Sequence, residues 1–183
     1  MEDTKQKIID AAIAVFNDDQ SAPLEKVADR ASITRRTLHR YFKDRGELVA
    51  ACRKDICKRC GDAIATALQR TESPLAQLEQ LLYAGIDCGV KYAFFHKLHN
   101  SRDHAHRTDD DCMKYDAMRE HVLQVITQLQ DKAIVTKHLT AEWIYALFTG
   151  VVNTAVKADM AGIVAKQSQK QFAWLSFSRA VGA

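Results

Sequence analysis

Leu24-Glu25-Lys26-Val27-Ala28-Asp29-Arg30-Ala31-Ser32-Ile33-Thr34-Arg35-Arg36-Thr37-Leu38-His39-Arg40-Tyr41-Phe42 is the stretch whose spacing decides the fold. Its apolar positions Val27, Ala28, Ala31, Ile33, Leu38 and Tyr41 suit two short helices packed across a tight turn. Ala28 is small where the later helix must come close, Ile33 fills the gap at the turn, and Leu38 and Tyr41 define the inner face of that helix. Thr34 stands where a side-chain cap is needed. The outer face is then Arg35, Arg36, His39 and Arg40, donors suited to guanine edges and phosphate oxygens. The pattern is that of a helix-turn-helix. A plain helical hairpin with a solvated basic face is the alternative, and it leaves the short turn, the cap and the clustered arginines as coincidences.

Working outward, Ile8, Ala12, Val15 and Phe16 share one face of a first helix expected over Thr4 to Asn17. Pro23 suits the first turn of a second helix reaching about Ala31, and a third helix runs from the Thr34 cap to Phe42. Asp44 and Glu47 resemble a capping box that opens a long fourth helix extending to about Gln69. Ser73-Pro74 starts a fifth with the stripe Leu75, Leu78, Leu82, Ile86 and Val90; a short sixth spans Tyr92 to His99, and Asn100 to Asp110 reads as a polar loop. A seventh over Asp111 to Asp131 carries Tyr115, Met118, Val122, Val125 and Leu129. Thr140 caps an eighth with Trp143, Leu147, Val151 and Ala155 in register, and a ninth covers Lys166 to Val181 with Phe172, Leu175 and Arg179.

The chain is therefore expected to be all-α, with about nine helices. At 183 residues and 47% hydrophobic content it has enough apolar material for a sizeable core, and only two prolines and seven glycines interrupt it. No run of 18 apolar residues and no secretion signal is evident, so a cytoplasmic location is expected and no membrane partner. The five cysteines are an odd number outside a small-scaffold context, which fits reduced thiols. Net charge is only +3, but between Arg30 and Cys60 ten basic residues face three acidic ones, a local excess of +7.

Ile8-Ile9-Asp10-Ala11-Ala12 with Val15-Phe16, then Val27-Ala28, Ala31-Ser32-Ile33-Thr34, Thr37-Leu38, Tyr41-Phe42-Lys43 and Glu47-Leu48, resembles the N-terminal signature of the TetR family of transcriptional regulators. The resemblance covers about a quarter of the chain. It implies a DNA-binding domain over residues 1–47 and a helical effector-binding and dimerisation domain over 48–183. It also implies phosphate contacts from Thr37, Tyr41, Lys43 and Arg45, with Arg35, Arg36 and His39 reading or bordering bases, so that the DNA-facing set is Thr34, Arg35, Arg36, Thr37, His39, Arg40, Tyr41, Lys43 and Arg45. The implied partners are double-stranded operator DNA, a second copy of the chain and an unidentified small molecule. Tyr83, Tyr92, Phe94, Phe95, Tyr115, Met118 and Phe148 are the candidates to line the effector pocket, although aromatics at helical spacing pack cores more often than they mark ligands. Trp143, Leu147, Val151, Phe172 and Leu175 are the candidates for a four-helix dimer interface. The sequence departs from the family pattern at Ser32, where glycine is typical of the turn, at Arg36, usually small, and at His39, usually tyrosine. Ser32 is expected to carry backbone strain if the turn requires positive φ.

Two other groups have the chemistry of sites. Cys57-Lys58-Arg59-Cys60 is a lone C-x-x-C on a helix; tetrahedral zinc needs four ligands and no second pair follows, so packing thiols are expected ahead of zinc or thiol sensing. His96 and His99, one turn apart, with Cys112 or a nearby carboxylate, form a possible metal set in a metal-responsive regulator or, as a rival class, a helical metallohydrolase. Solvated loop histidines are the expected reading. No HExxH motif or nucleophile-base arrangement accompanies them, and neither an enzyme nor a cofactor is expected.

Overall fold

Ile8, Ala12 and Phe16 recur every fourth residue and are all but inaccessible, which fixes how the first helix, α1 (Thr4–Asp18), lies on the elements that follow. The computed structural model describes residues 4–69, 73–89, 91, 93–94 and 110–183. Among these, α1 is followed by α2 (Leu24–Arg30), α3 (Arg35–Tyr41), α4 (Arg45–Gln69), α5 (Pro74–Cys88), α6 (Asp110–Asp131), α7 (Ala141–Met160) and α8 (Lys166–Val181), with no strand. The described residues thus contain eight of the nine helices expected. The short one placed over Tyr92 to His99 falls mostly outside them, as does the loop up to Asp110, the residue that opens α6.

Two apolar cores are strung along α4. The N-terminal core joins α1, α2 and α3 to the first half of α4 through Leu48, Cys52, Ile56, Cys57 and Cys60, and it takes in Phe94 from beyond α5. The second core begins on the same helix at Ala63, Ile64 and Ala67 and gathers α5, α6, α7 and α8. Both are real burials: Leu38, Leu48, Ile56, Leu78, Ile126 and Phe177 are fully inaccessible, each stabilising the fold by roughly 1.5–3 kcal/mol relative to an exposed side chain.

Of the stripes expected on α7 and α8, Ala155 packs inward and Leu147 and Val151 partly so, but most of the buried face lies elsewhere. The buried face of α7 is Ile144, Tyr145, Phe148, Val152 and Val156, and that of α8 includes Ala173, Phe177 and Val181. Trp143, Phe172 and Leu175 are instead more than half exposed, and Leu147 and Val151 half-buried. A helix apolar on two faces has two things to cover. Periodicity cannot say which face the chain covers itself.

Helix ends are closed by side chains and by left-handed residues. Thr34 and Thr140 accept from the amides of Thr37 and Trp143 at 3.2 Å each. Asp44 accepts from the Glu47 amide at 2.8 Å, while the Glu47 carboxylate reaches back to the Lys43 amide at 2.8 Å, one residue earlier than in the usual reciprocal box. Pro23 lies just before α2 rather than within it, and Ser73, although it precedes α5, makes no side-chain cap bond. After α2, the Ser32 amide donates to Asp29 O and the Ile33 amide to Ala28 O, both at 3.0 Å, with Ser32 at φ 55°: the 5→2 and 6→1 bonds of a Schellman turn built without glycine. Ala133 does the same after α6.

Because both positions hold a β-carbon in the left-handed region, Ser32→Gly and Ala133→Gly are each expected to stabilise the fold by about 0.5–1 kcal/mol, the relief of strain exceeding the entropy glycine adds to the unfolded chain. Urea unfolding should show a raised midpoint with unchanged slope; a lowered midpoint for both would contradict the strain assignment.

Candidate DNA-binding surface and its junction with the body

The inner face of α3 is committed to the core through Leu38, followed by Phe42. Its outer face is consequently fixed, and Arg35, Arg36, His39 and Arg40 are all exposed on it. Arg35 pairs with Glu25 of α2 at 2.6 Å, an exposed ion pair of small energetic value that nonetheless orients the guanidinium. Its Nε also donates to His39 Nε2 at 3.4 Å, and His39 Nδ1 lies 3.3 Å from the Lys43 carbonyl. One tautomer, protonated on Nδ1, satisfies both contacts, so His39 is held between its own helix and the chain leaving it. Arg40 lies over the Tyr41 ring at 5.2 Å. Arg36 makes no ion pair or hydrogen bond with the described residues, leaving its five donors available. Thr34 and Thr37 stand together at the helix start, hydroxyl to hydroxyl at 3.0 Å, beside the partial positive charge of the α3 N-terminus.

Arg45 is placed otherwise than a phosphate contact would require. Its guanidinium sits 4.2 Å from the Phe16 ring centre and donates to the carbonyls of Ala22 and Gln20. It therefore braces the α1–α2 connection, where glycine is absent, against the start of α4. The Ser21 amide and hydroxyl bond to the Asp19 carboxylate in the same turn, and these bonds hold that carboxyl below its usual range.

A polar network that the sequence did not reveal joins this region to the body. Lys91, just beyond α5, bonds Asp10 of α1 at 2.7 Å and Asp55 of α4 at 2.9 Å. Gln6 donates to both carboxylates, and Arg59 bonds Asp55 at 3.0 Å. Burial pushes the Asp55 carboxyl up, but Lys91, Arg59 and Gln6 outweigh it and hold the group below the ordinary carboxylate range. For Lys91 burial pulls the ammonium down, and the two carboxylates more than reverse this. With one acid lowered and one base raised, the pair's contribution is present across the neutral range; it is lost as pH falls through the depressed acid value or rises through the elevated lysine value. The available clue was a single lysine in the apolar run from Gly89 to Phe95; its partners lie on two other helices, and spacing says nothing about them.

The remaining candidates separate in space. Phe94 is buried in the N-terminal core, 6.5 Å from Phe16 between ring centres. Met118 and Phe148 border a narrow apolar seam between α4, α5, α6 and α7, whereas Tyr83 borders an open cleft between α4, α5 and α8. Tyr92, Phe95 and the Tyr115 side chain lie outside the described residues, as do His96, His99 and the Cys112 side chain. Cys57 and Cys60 are buried, and among the described residues no group of histidine, cysteine and carboxylate is arranged to hold a metal. Burial raises the Cys52 thiol to about 12, and the hydrogen bond that Cys60 donates to Cys88, with burial, pushes Cys60 up as well. Such thiols are packing groups, not nucleophiles.

Comparison with known proteins agrees with the fold. Residues 8–52 match the bacterial regulatory proteins of the tetR family. Over 187 aligned positions, 98% of this chain, it is 22% identical to the uncharacterized HTH-type transcriptional regulator YxbF of Bacillus subtilis, of which 48% is covered. It is 33% identical over 89 residues to the HTH-type transcriptional repressor LfrR of Mycolicibacterium smegmatis, covering 48% of this chain and 47% of that protein. The matched stretches thus span less than half the length of these curated relatives. The ketosteroid transcriptional regulator KstR2 of Mycobacterium tuberculosis has the same fold, with TM-score 0.77, 14% identity, and 99% and 96% of the two chains covered. So does LfrR in complex with proflavine, with TM-score 0.68, 20% identity, and 96% and 94% covered. Residues 8–52 thus resemble the bacterial regulatory proteins of the tetR family, and the described residues share the fold of TetR-like transcriptional regulators.

Proposed function

We propose that the chain is a transcriptional repressor that binds a near-palindromic operator as a homodimer and is released by a small molecule. The observation that carries DNA binding is the exposed face of α3, which presents Arg35, Arg36, His39 and Arg40 while Leu38 anchors the opposite face. Arg36, uncommitted to any partner among the described residues, reads a base edge; Thr34, Thr37, Tyr41 and Lys43 hold phosphates; Arg45 acts indirectly by fixing the α1–α2 turn. Arg36→Ala is expected to weaken operator binding by roughly 1–3 kcal/mol with little effect on random DNA, whereas Lys43→Ala weakens both alike and lowers the salt slope by about one. Gel shifts at several salt concentrations measure this, and equal specific losses in both variants would overturn the assignment.

Dimerisation follows from what α7 and α8 leave uncovered. Trp143, Phe172 and Leu175 are exposed by 57%, 52% and 53%, and with Leu147 and Val151 they form an apolar surface wide enough for a four-helix interface with a second copy. Such an interface sets the distance between two recognition helices, which must match half-sites about 34–36 Å apart. Phe172→Glu combined with Leu175→Glu is expected to give a folded monomer in sedimentation and to abolish tight operator binding.

We assign the effector to the seam bordered by Ile64, Leu81, Met118, Val122, Tyr145 and Phe148, mostly apolar but with Arg119 on its wall. Its free volume is 20 Å³, so a ligand must part α6 from α4 and α5, moving the helix that carries the N-terminal core. Lys91 links that movement to α1. A complex of LfrR, a protein of this fold, with proflavine supports a small-molecule effector in kind, not in identity. Any ligand that raises thermal stability through this seam must weaken operator affinity by the factor with which operator weakens ligand binding, and a stabilising ligand without that reciprocity would refute the scheme. Lys91→Met removes the cation beside Asp10 and leaves Asp55 with Arg59 alone, and is expected to cost about 1–3 kcal/mol of stability and to reduce operator affinity while the dimer persists. The operator sites lie in the cytoplasm, where the free thiols stay reduced.

A further inference from the structure

Ala63, Thr66 and Ala67 on α4 and Ala84 on α5 are small where the two helices face α8, and they leave a cleft of 320 Å³. Tyr83 lines it, with Asp62 and Asp87 also on its walls. The Tyr83 hydroxyl donates to the Glu79 carboxylate at 2.6 Å, which keeps the phenol protonated and makes its ring more electron-rich. Among the described residues, the one cationic group lining the cleft is Lys170 of α8, whose ammonium bonds Asp87 at 2.7 Å and sits 5.7 Å from the centre of the Tyr83 ring. An aromatic face with a carboxylate beside it is the arrangement that recognises an ammonium, and here the protein's own side chain occupies it. Asp62 and Glu79 bring further negative charge, so the cleft stays anionic with Lys170 in place.

We propose that this cleft is a binding site for small organic cations, with Lys170 as the built-in occupant that an external ammonium displaces. It is separate from the apolar seam: α8 forms one wall, the opening faces solvent, and its recognition chemistry is charge against an aromatic face. The volume suits a single-ring ligand. Because Lys170 is half-exposed, its ammonium leaves the ring for water at modest cost, and while seated it lowers the apparent affinity for any competitor.

The test uses the full-length chain and benzyltrimethylammonium, with phenylacetate as the anion of matching size, each titrated while the methyl resonances of Ala63 and Ala84 are followed by NMR. Lys170→Met should tighten benzyltrimethylammonium binding by on the order of 3- to 10-fold over the unaltered chain. Adding Tyr83→Leu or, with less risk to folding, Asp62→Asn should reverse that gain, and phenylacetate should not compete. Equal affinities with and without Lys170, no response of the cleft methyls, or phenylacetate binding as tightly as the cation would each overturn the site. The readout is independent of operator DNA, and the Lys170→Met and Asp62→Asn variants distinguish this cleft from the apolar seam, whose lining includes neither residue.

Discussion

The 25 residues of α4 form one wall of both hydrophobic cores, and the other elements are arranged around that constraint. A helix of this length spans roughly 37 Å as a stiff rod, so whatever tilts its second half moves its first half as well. Leu48, Cys52 and Ile56 seat the helix-turn-helix on it, and Ala63, Ile64 and Ala67 seat the body. Close packing on both sides leaves no slack between them, because a core at native density passes a displacement on instead of absorbing it.

Polar contacts refine what the shared helix imposes. Arg45 fixes the α1–α2 turn to the start of α4, and Lys91 ties α1 to its middle through Asp10 and Asp55. Neither gains much from Coulomb attraction alone, given the desolvation that partial burial costs. Their value is directional: several hydrogen bonds converge from different elements and admit one arrangement of α1 against α4. Phe94 enters the N-terminal core from the same segment as Lys91, so an apolar and an ionic contact reinforce one another at the junction.

The outer faces carry the opposite logic. Among the described residues, Arg36 on α3 has no ion-pair or hydrogen-bond partner, and Trp143, Phe172 and Leu175 on α7 and α8 are left more than half exposed. A large apolar surface is costly to leave in water, whereas a solvated guanidinium costs little unpaired and stays available to an anion. They are the surfaces to which the proposed function assigns operator DNA and a second copy of the chain.

Residues close in sequence determined much of this without help. The helix-turn-helix was legible because Val27, Ala28, Ile33 and Leu38, the Thr34 cap and the arginines all act within one or two helical turns, where spacing is geometry. The positive φ at Ser32 followed from the same local constraint. Tertiary structure alone decided which of two apolar faces α7 and α8 bury, since both have helical period and only the neighbouring helices distinguish them. It also decided that Arg45 turns inward to Gln20 and Ala22, that Lys91 meets Asp10 and Asp55, and that Lys170 rests on Tyr83. Each of these pairs joins residues far apart along the chain, and a charge pattern read in one dimension carries no record of which partners folding brings within 3 Å.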